Sequence, residues 1–481
     1  MKIAFVASEI TPFAKSGGLA DVAAALPRAL YELGHDVRVF MPLYASVRDK
    51  GFALQKVSGI QDVPLLLGEH PYQFSVYSSI LPDSDLPVYL IDCPALFARS
   101  TLYTTDSDEH RRFILLQRAA LESLQRMQFA PEILHCNDWH TGLLPLMIKT
   151  SYRWDRLFQQ TKSLLSIHNI GYQGIFSAIT RGDIGIGDIV SHVRSEDLVA
   201  GQINWLKEGL FHADAVSTVS PTYAREICTP QGGYGLENVL LGRSDGVTGI
   251  LNGVDYESWN PATDKTLPAR YDAANLQGKQ QCKLVLLQQA QLSLPGETPV
   301  IGIVSRLAMQ KGIDILIDSL PELLTTRDFA LCVLGNGEQP YVDFFNTLMQ
   351  DFPDRVYFRN GYDEALAHLI EAGSDMFLMP SLYEPCGLNQ LYSLKYGTIP
   401  IVRKTGGLAD SVQMWDGNAG DGIVFNDYDA PAVIWAVNTA LDLFKDKSAW
   451  PQMIRNAMSR NFSWPHQAQE YVQLYERMMR S

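Results

Sequence analysis

Short apolar runs alternate with longer amphipathic stretches along the chain, beginning with KIAFVA at residues 2–7. Behind this run, apolar residues recur at helical spacing from Leu19 to Leu33, and Pro27 is predicted to kink that helix. The run DVRVFMP at 36–42 then predicts a second buried strand. The beginning of the chain therefore predicts a βαβ unit, with a loop between the first strand and the helix.

Two series of apolar runs extend this pattern. The first series continues at 88–92, 132–136, 163–168 and 215–219. The second series lies at 300–305, 330–335, 356–360, 375–380 and 398–402. Continuous apolar strands that alternate with helices are typical of parallel sheets covered on both faces. Since one sheet rarely holds so many strands, the pattern predicts an α/β fold with two doubly wound, Rossmann-like domains.

A stretch rich in Asn, Asp, Pro and Gly at 251–270 separates the two series and has the composition of a linker. We therefore predict an N-terminal domain over residues 1–248 and a C-terminal domain over 249–458. The remaining segment, 459–481, contains a helical pattern at 466–479.

One short sequence occurs twice, as KSGGLAD at 15–21 and as KTGGLAD at 404–410. Each copy follows an apolar strand and precedes a helical pattern. Ligands in open α/β sheets bind at the carboxyl ends of strands, and helix N-termini attract phosphate. A Gly pair can also serve only to permit a tight turn. Two matching copies in matching contexts favour ligand-binding loops, one in each domain.

Composition narrows the possible functions. A formal net charge of −14 argues against a nucleic-acid surface, which needs a basic patch. The sequence has no apolar run long enough to span a membrane, and its first apolar run is too short for a signal peptide, so we expect a cytoplasmic protein. The six cysteines are widely spaced and form no C-x-x-C pair, which argues against a metal site or a disulfide framework.

An ordered set of motifs covers nearly the whole chain. The set comprises KSGGLADV, HCNDWHTG, SIHNIGYQG, GYGLENVL, ILNGVD, SRLAMQKG, MPSLYEPCGLNQLYSLKYG and VRKTGGLAD. Together these motifs resemble the bacterial glycogen synthase and plant starch synthase family. The resemblance implies the GT-B glycosyltransferase architecture, in which two Rossmann-like domains face an interdomain cleft and the C-terminal helix packs back on the first domain.

The resemblance also implies a reaction. A retaining glucosyltransferase of this family moves glucose from ADP-glucose to the non-reducing-end 4-hydroxyl of an α-1,4-glucan such as glycogen, releases ADP and needs no cofactor or metal. A UDP-glucose synthase, a glucan phosphorylase with pyridoxal phosphate and a non-catalytic glucan-binding relative are the alternatives. A Rossmann dehydrogenase is disfavoured because no G-x-G-x-x-G follows the first strand.

Loss of a diphosphate creates negative charge, which a metal-free enzyme must offset with its own cations and helix N-termini. The resemblance assigns this role to Arg306 and Lys311, and Lys15 reaches the same phosphates from the first domain. It also places Gly17 and Gly18 close to the donor. In the second loop it implies backbone N–H donors to the distal phosphate from Thr405, Gly406, Gly407 and Leu408.

Around the sugar, the resemblance places Glu384 beside the glucose ring as an orienting group, with covalent attack by this carboxylate as a minor alternative. It places a neutral His168 and an ionised Asp138 near the reacting centre. Taken without the resemblance, such a histidine is more often a buried core residue, and such an aspartate often caps the next helix.

The remaining assignments concern binding. Asn252 contacts the donor sugar or holds the hinge, Tyr362 stacks on adenine or lies in the core, and Cys386 packs beside the sugar pocket. Trp139 and Glu9 are acceptor candidates, although a core tryptophan and a solvated glutamate are the simpler interpretations.

Two positions depart from the family's pattern. Many retaining relatives carry a ribose-binding glutamate eight positions after Glu384, where this chain has Tyr392. The usual Arg-Phe before EPCG is Leu382-Tyr383 here, which removes an arginine expected to support Glu384.

Overall fold

The structure, a computed structural model, describes residues 1–184, 192–193 and 195–480. The chain forms two compact units. The first unit comprises Met1–Val219, Ala224–Gly253 and Trp464–Ser481, and the second comprises Ser220–Tyr223 and Val254–Ser463. The chain passes from the first unit to the second after Gly253 and returns to the first after Ser463. Both points lie within a few residues of the predicted boundaries at 248 and 458.

The first unit contains twelve strands among its described residues. They are β1 (Lys2–Val6), β2 (Asp36–Pro42), β3 (Gln55–Lys56), β4 (Val63–Leu67), β5 (His70–Ile80), β6 (Pro87–Asp92), β7 (Ile133–Asn137), β8 (Lys162–Ile167), β9 (Ile175–Ser177), β10 (Gln202–Asn204), β11 (Ala215–Thr218) and β12 (Thr248–Gly249). Seven of them form a parallel series in the order β12-β11-β8-β7-β1-β2-β6. Every strand predicted for this unit belongs to that series.

Antiparallel strands extend this sheet beyond β6, and the sequence analysis did not predict them. β5 pairs with β6, and both β3 and β4 pair with β5. Buried and exposed residues alternate along β4, so it lacks the continuous apolar run by which the parallel strands were recognised. β9 and β10 form a separate antiparallel pair.

The helices of the first unit cover both faces of this sheet and include the C-terminal helix. They are α1 (Gly18–Glu32), α2 (Ala45–Arg48), α3 (Pro94–Phe97), α4 (Glu109–Arg126), α5 (Leu144–Lys149), α6 (Ser195–Val199), α7 (Trp205–His212), α9 (Glu237–Leu241) and α18 (Trp464–Arg480). The short helix α8 (Pro221–Glu226) begins in the second unit and ends in the first. α1 runs through Pro27 without ending there. α18 packs beside α1, and its Tyr475 hydroxyl lies 2.7 Å from Nδ1 of His135 in β7. The last helix therefore completes the first unit.

The second unit has one fully parallel sheet. Its strands are β13 (Val300–Val304), β14 (Ala330–Gly335), β15 (Val356–Asn360), β16 (Met376–Met379), β17 (Ile399–Arg403) and β18 (Ile423–Phe425). Their order, β15-β14-β13-β16-β17-β18, is the 3-2-1-4-5-6 order of Rossmann sheets. Except for the edge strand β15, which exposes Arg359 and Asn360, the strands are well buried, as expected for a sheet covered by helices on both faces.

The helices of the second unit follow its strands in the expected alternation. They are α10 (Gln277–Gln289), α11 (Ile313–Thr326), α12 (Gln339–Asp351), α13 (Glu364–Gly373), α14 (Asn389–Tyr396), α15 (Gly406–Ser411), α16 (Ala430–Phe444) and α17 (Ala449–Ser459). Among the described residues, no helix is both long and apolar enough to cross a membrane.

Candidate active site

Both sheets reverse the direction of their connections beside their first strand. β1 lies between β2 and β7, and β13 lies between β14 and β16. Ligands of such sheets bind at the carboxyl ends of the strands next to this switch point. All five residues predicted to be catalytic follow these strands or a direct neighbour: Asp138 after β7, His168 after β8, Arg306 and Lys311 after β13, and Glu384 after β16.

In the first unit, the Gly-Gly loop is organised by a buried carboxyl group. Oε2 of Glu9 accepts a hydrogen bond of 2.5 Å from the Ser16 N–H, and burial raises the pKa of Glu9 to about 7. The interpretation of Glu9 as a solvated surface residue is therefore wrong. Lys15, which the resemblance directs to the phosphates, forms a partly exposed ion pair of 2.7 Å with Asp21 at the start of α1.

Asp138 lies directly behind β7 in a left-handed backbone conformation, with φ of +53°. Its Oδ1 accepts a 2.7 Å hydrogen bond from the His168 N–H, and the side chain does not cap the short helical turn that follows. The capping interpretation is therefore wrong. Burial raises the pKa of Asp138 to about 7, so this carboxyl is only partly ionised at neutral pH, contrary to the expectation of an ionised group.

His168 is held as a neutral imidazole with a defined tautomer. Its Nε2 lies 2.9 Å from Oδ1 of Asn137, whose Nδ2 donates to the Val6 carbonyl at 3.0 Å. Since the amide oxygen can only accept, Nε2 carries the proton and Nδ1 is left as the acceptor. Burial lowers the pKa of His168 to about 4, which agrees with the predicted neutral state. Asn137 was not predicted, because only the fold brings it to this ring.

Two further predicted residues of the first unit differ in burial, since Asn252 is buried and Trp139 is half-buried. Asn252 lies just after β12, and its Oδ1 has no hydrogen-bond partner among the described residues. A buried amide oxygen without a partner carries a desolvation cost, which a ligand donor would remove. Trp139 packs on His140 and forms an edge contact with Trp205, so its ring belongs to an aromatic cluster, as its interpretation as a core residue requires, although the residue is only half-buried.

In the second unit, Lys311 and Glu384 meet across the switch point between β13 and β16. Nζ of Lys311 lies 2.6 Å from Oε2 of Glu384, which also accepts a 3.1 Å bond from the Ser381 hydroxyl. Glu384 is buried and Lys311 is partly exposed. Arg306 is exposed near them, and its Nη2 donates to Gln310 at 3.2 Å. The predicted cations and the predicted carboxylate thus share one sheet edge.

The segment before Glu384 is held by hydrogen bonds that no sequence motif predicts. Arg403, at the end of β17, donates to the Leu382 carbonyl at 2.7 Å. The Leu382 N–H in turn donates to the Gln310 carbonyl at 2.9 Å. Hydrogen bonds to the backbone therefore fix the loop at Leu382, where the resemblance led us to expect an arginine, and Arg403 from a different strand contributes one of them.

The second Gly-Gly loop packs against the same segment. A Cβ atom on Gly406 would lie 1.9 Å from the Glu384 carbonyl oxygen, and one on Gly407 would lie 2.1 Å from that of Cys386. The N–H of Gly407 donates to the Glu384 carbonyl at 3.1 Å, and those of Thr405 and Leu408 also donate to backbone carbonyls. Of these three N–H groups, only that of Gly407 bonds to the Glu384 loop, whereas those of Thr405 and Leu408 bond within their own loop, to the carbonyls of Arg403 and Thr405. Their predicted role as donors to a phosphate stays a prediction.

The two copies of the repeated sequence thus differ in the physical reason for which a glycine is needed. Nothing lies within 4 Å of a Cβ atom built on Gly18, and only Oε1 of Glu9, at 3.9 Å, approaches one on Gly17. Neither glycine has a positive φ. Packing explains the glycines of the second loop, but neither packing nor backbone conformation explains those of the first.

Three remaining residues of the second unit have clear surroundings. Tyr362 follows β15 and its side chain is 77% exposed, so its interpretation as a core residue is wrong. Cys386 is buried, which agrees with the packing role predicted for it. The ring of Tyr392 stacks on Trp259 at 3.9 Å between centroids, so it anchors the segment that follows the change of unit after Gly253.

The described residues include no group of three or more His, Cys, Asp or Glu side chains that is arranged to hold a metal ion. The sheet edge of each unit carries side chains that can bind a ligand without a metal. These are cations, carboxyl groups and, in the first unit, one neutral imidazole. Cations can offset a growing negative charge, and hydrogen-bonding side chains can orient a polyhydroxylated ligand.

Comparison with known proteins agrees with this arrangement. The family described as starch synthase catalytic domain matches residues 2–242, and the family described as glycosyl transferases group 1 matches residues 287–457. The glycogen synthase of Koribacter versatilis is 45% identical over 488 residues, covering 99% of this chain and 98% of that protein. The glycogen synthase of Aeromonas hydrophila is 42% identical, covering 99% of this chain and 98% of that protein.

Solved structures give the same result. The catalytic domain of starch synthase IV from Arabidopsis thaliana, bound to ADP and acarbose, is 34% identical and has a TM-score of 0.91 over 100% of this chain and 99% of that chain. A sucrose-phosphate synthase from Thermosynechococcus elongatus is 18% identical with a TM-score of 0.61, covers 99% of this chain and 98% of that chain, and shows likeness of fold alone. The matches and the two parallel sheets confirm the predicted GT-B fold class.

Proposed function

We propose that this chain, which belongs to the family of bacterial glycogen synthases and plant starch synthases, transfers glucose from ADP-glucose to the non-reducing-end 4-hydroxyl of an α-1,4-glucan. The transfer retains the anomeric configuration and releases ADP. The observation that carries the proposal is the Lys311–Glu384 pair of 2.6 Å at the switch point of a Rossmann sheet, where a nucleotide-sugar binds.

The leaving group is handled by cations. As the bond between the anomeric carbon and the diphosphate breaks, negative charge grows on the phosphate oxygens. Lys311 retains donors beyond its bond to Glu384, and the exposed guanidinium of Arg306 lies at the same sheet edge. Lys15 adds a third cation from the loop after β1. We therefore infer that side chains of the protein offset this charge, without a metal or other cofactor.

The sugar is held by hydrogen bonds. The Nδ1 atom of His168 accepts a bond from a glucose hydroxyl, because Nε2 is committed to Asn137. Asp138 and Glu384 lie at the ends of strands in their own units and orient the ring while positive charge develops on it. The bond from the His168 N–H to Asp138 fixes these two groups relative to each other.

The base of the donor is contacted by Tyr362. Its exposed ring follows β15, an edge strand of the second sheet. Stacking on an aromatic ring suits any base, so the preference for ADP-glucose over UDP-glucose rests on the family and on the ADP bound to the starch synthase IV domain. We place the reaction in the cytoplasm, where the six free cysteines stay reduced.

The proposal is tested by incubating the purified full chain with labelled ADP-glucose or UDP-glucose and glycogen, and measuring label in the precipitated polymer. We expect incorporation from ADP-glucose and little from UDP-glucose. Preference for UDP-glucose would overturn the donor assignment alone. Absence of incorporation from both donors, by a folded protein that binds glycogen, would favour the non-catalytic alternative.

A further inference from the structure

Two tyrosines with strongly exposed side chains lie on neighbouring loops of the first unit. Tyr172 is 58% exposed and lies four residues after His168, while Tyr234 is 50% exposed in a glycine-rich turn. The side chain of Gln173 joins the loops, because its Nε2 donates to the Tyr234 carbonyl at 3.0 Å. Ile175, also in the first loop region, is 52% exposed. An aromatic and apolar surface therefore continues from the His168 loop.

The loop that carries Tyr172 is fixed at its base. A Cβ atom on Gly174, where φ is +62°, would lie 2.4 Å from the ring of Trp139, so the backbone lies directly on the indole. The first residues of α7 donate to this loop, from the Trp205 N–H to the Gly174 carbonyl and from the Leu206 N–H to the Gln173 carbonyl, both at 3.1 Å. Tyr172 is therefore presented by a rigid loop.

The turn that carries Tyr234 is also constrained. Tyr234 adopts a φ of +51°, which is unfavourable for a residue with a side chain, and Gly235 follows with +86°. A Cβ atom on Gly233 would collide with Glu237 and the Ile227 carbonyl, so the turn is tightly packed. Strained backbone that the surroundings enforce is concentrated at ligand sites, and here it displays an aromatic ring.

The surface suits a carbohydrate. A tyrosine ring offers a flat apolar face and a polar hydroxyl, with little conformational freedom to lose on binding. A glucose unit has an apolar face of C–H groups that can lie on such a ring, and hydroxyl groups around its edge. The formal net charge of −14 makes a polyanionic ligand a poor match for this chain.

We propose that Tyr172 and Tyr234 form a stacking platform for the α-1,4-glucan acceptor, contacting glucose units that follow the one being extended. The inference rests on the proposed function, because it takes the reacting sugar to lie at His168. From there, the next units of the same glucan chain pass over the loop that ends in Tyr172 and reach Tyr234. The platform determines affinity for the acceptor and makes no contact with the donor.

The test compares the double variant Tyr172→Ala/Tyr234→Ala with the wild-type full chain. We expect the KM for glycogen to rise roughly tenfold, which corresponds to about 1.4 kcal/mol of lost binding. The KM for ADP-glucose should stay within about twofold, since uniform loss of acceptor binding leaves donor binding unchanged. The Phe variants at both positions keep the ring and should behave as wild type. Trp154→Ala, which removes a 74% exposed ring elsewhere on the unit, is the matched control.

A KM for glycogen that stays within twofold of wild type in the double variant would overturn the proposal, as would an equal rise in the Trp154→Ala control. A second measurement, the retardation of the protein in native gels that contain glycogen but no donor, reports glucan binding alone. It therefore separates this inference from the proposed function. A wild type that is retarded but transfers no glucose, with a double variant that is not retarded, supports the platform and contradicts the transferase. A wild type that transfers glucose, with a double variant retarded as strongly as wild type, contradicts only the platform.

Discussion

At the scale of single residues, the ion pair between Lys311 and Glu384 is the contact on which the chemistry depends most. Glu384 is buried, and Lys311 is the cation bonded to its carboxylate. Removing the lysine leaves that carboxylate uncompensated and also removes a donor to the departing phosphate. The pair therefore links the stability of the second unit to its activity.

We predict that Lys311→Ala lowers kcat roughly 100- to 1,000-fold, the range found when one donor to a developing negative charge is lost. The free energy of unfolding should fall by about 1–3 kcal/mol, because a buried acceptor loses its partner. Steady-state kinetics and chemical denaturation measure the two effects. Lys404→Ala removes the exposed lysine of the second Gly-Gly loop and serves as the control. Similar kcat values for the two variants would contradict the assignment.

A second prediction concerns pH and Glu9. Burial raises the pKa of Glu9 to about 7, so the folded protein prefers the protonated form and loses stability as the pH rises from about 4 through 7. Glu9→Gln cannot ionise. At pH 8 this variant should be more stable than wild type by roughly 3 kcal/mol, with little difference at pH 4.

Denaturant unfolding at several pH values measures this difference. Glu322→Gln, at an exposed position of α11, should leave the pH dependence unchanged. Asp138, whose pKa burial also raises to about 7, keeps part of the slope in the Glu9→Gln variant. A variant whose unfolding curves follow those of wild type at every pH would show that Glu9 ionises normally.

The sequence identified many of the residues at the sheet edges, but few of their partners. Motif spacing directed attention to His168 and Asp138, whereas Asn137 and Val6, which set the tautomer of the imidazole, carry no signal in the sequence. Glu9 was misjudged because nothing in its local sequence indicates that the Gly-Gly loop folds over it. These contacts join residues far apart in the chain, and only the packed sheet creates them.

At the scale of elements, the two Gly-Gly loops predict opposite outcomes for the same substitution. Gly18→Ala adds a methyl group in open space at the start of α1, so stability should change by less than about 1 kcal/mol. Activity should fall at least tenfold if the donor approaches the backbone there. Gly407→Ala places a methyl group 2.1 Å from the Cys386 carbonyl and should destabilise the protein by roughly 3 kcal/mol.

Thermal melting and donor KM values for both variants distinguish the loops. If the Gly18→Ala enzyme had the kcat and the KM for ADP-glucose of wild type, Gly18 would not be needed to make room for a ligand. A Gly407→Ala protein as stable as wild type would contradict the packing described for the second loop.

The burial pattern of a strand decided whether the sequence could predict it. The parallel strands are continuous apolar runs, and most of their predicted bounds agree with the structure within one residue, as for β14 and β15. The antiparallel strands β3, β4 and β5 were missed, because one side of an edge sheet can face water and its strands then alternate. Short pairs such as β9 and β10 have too few residues to show any period.

At the scale of the whole molecule, the sequence predicted two domains, with boundaries a few residues before the changes of unit after Gly253 and Ser463. Most of the predicted linker, from Val254 onward, belongs to the second unit, and its Leu267 lies in a hydrophobic core cluster. The sequence also carried the resemblance by which the last helix was assigned to the first domain. What it did not indicate is how the last helix is fastened there, through the bond between Tyr475 and His135 in the middle of the parallel sheet.

The first unit should therefore depend on the end of the chain. Tyr475→Ala removes a fully buried ring and its bond to His135, and should destabilise the first unit by about 3–5 kcal/mol. Differential scanning calorimetry should show the transition of one unit shifted to lower temperature and the other unchanged. Met479→Ala, at a partly exposed position of the same helix, should shift neither transition. Unaltered melting of Tyr475→Ala would mean that the helix contributes little.

Proton NMR of the reaction tests whether the protein transfers glucose with retained configuration. The full chain would be mixed with ADP-glucose and a short α-1,4-glucan, and the anomeric signal of the new linkage would be followed over time. We predict a new α-1,4 linkage that grows in step with released ADP, and far slower growth with Lys311→Ala. A β-linked product, or ADP released together with free glucose instead of a longer glucan, would contradict this prediction.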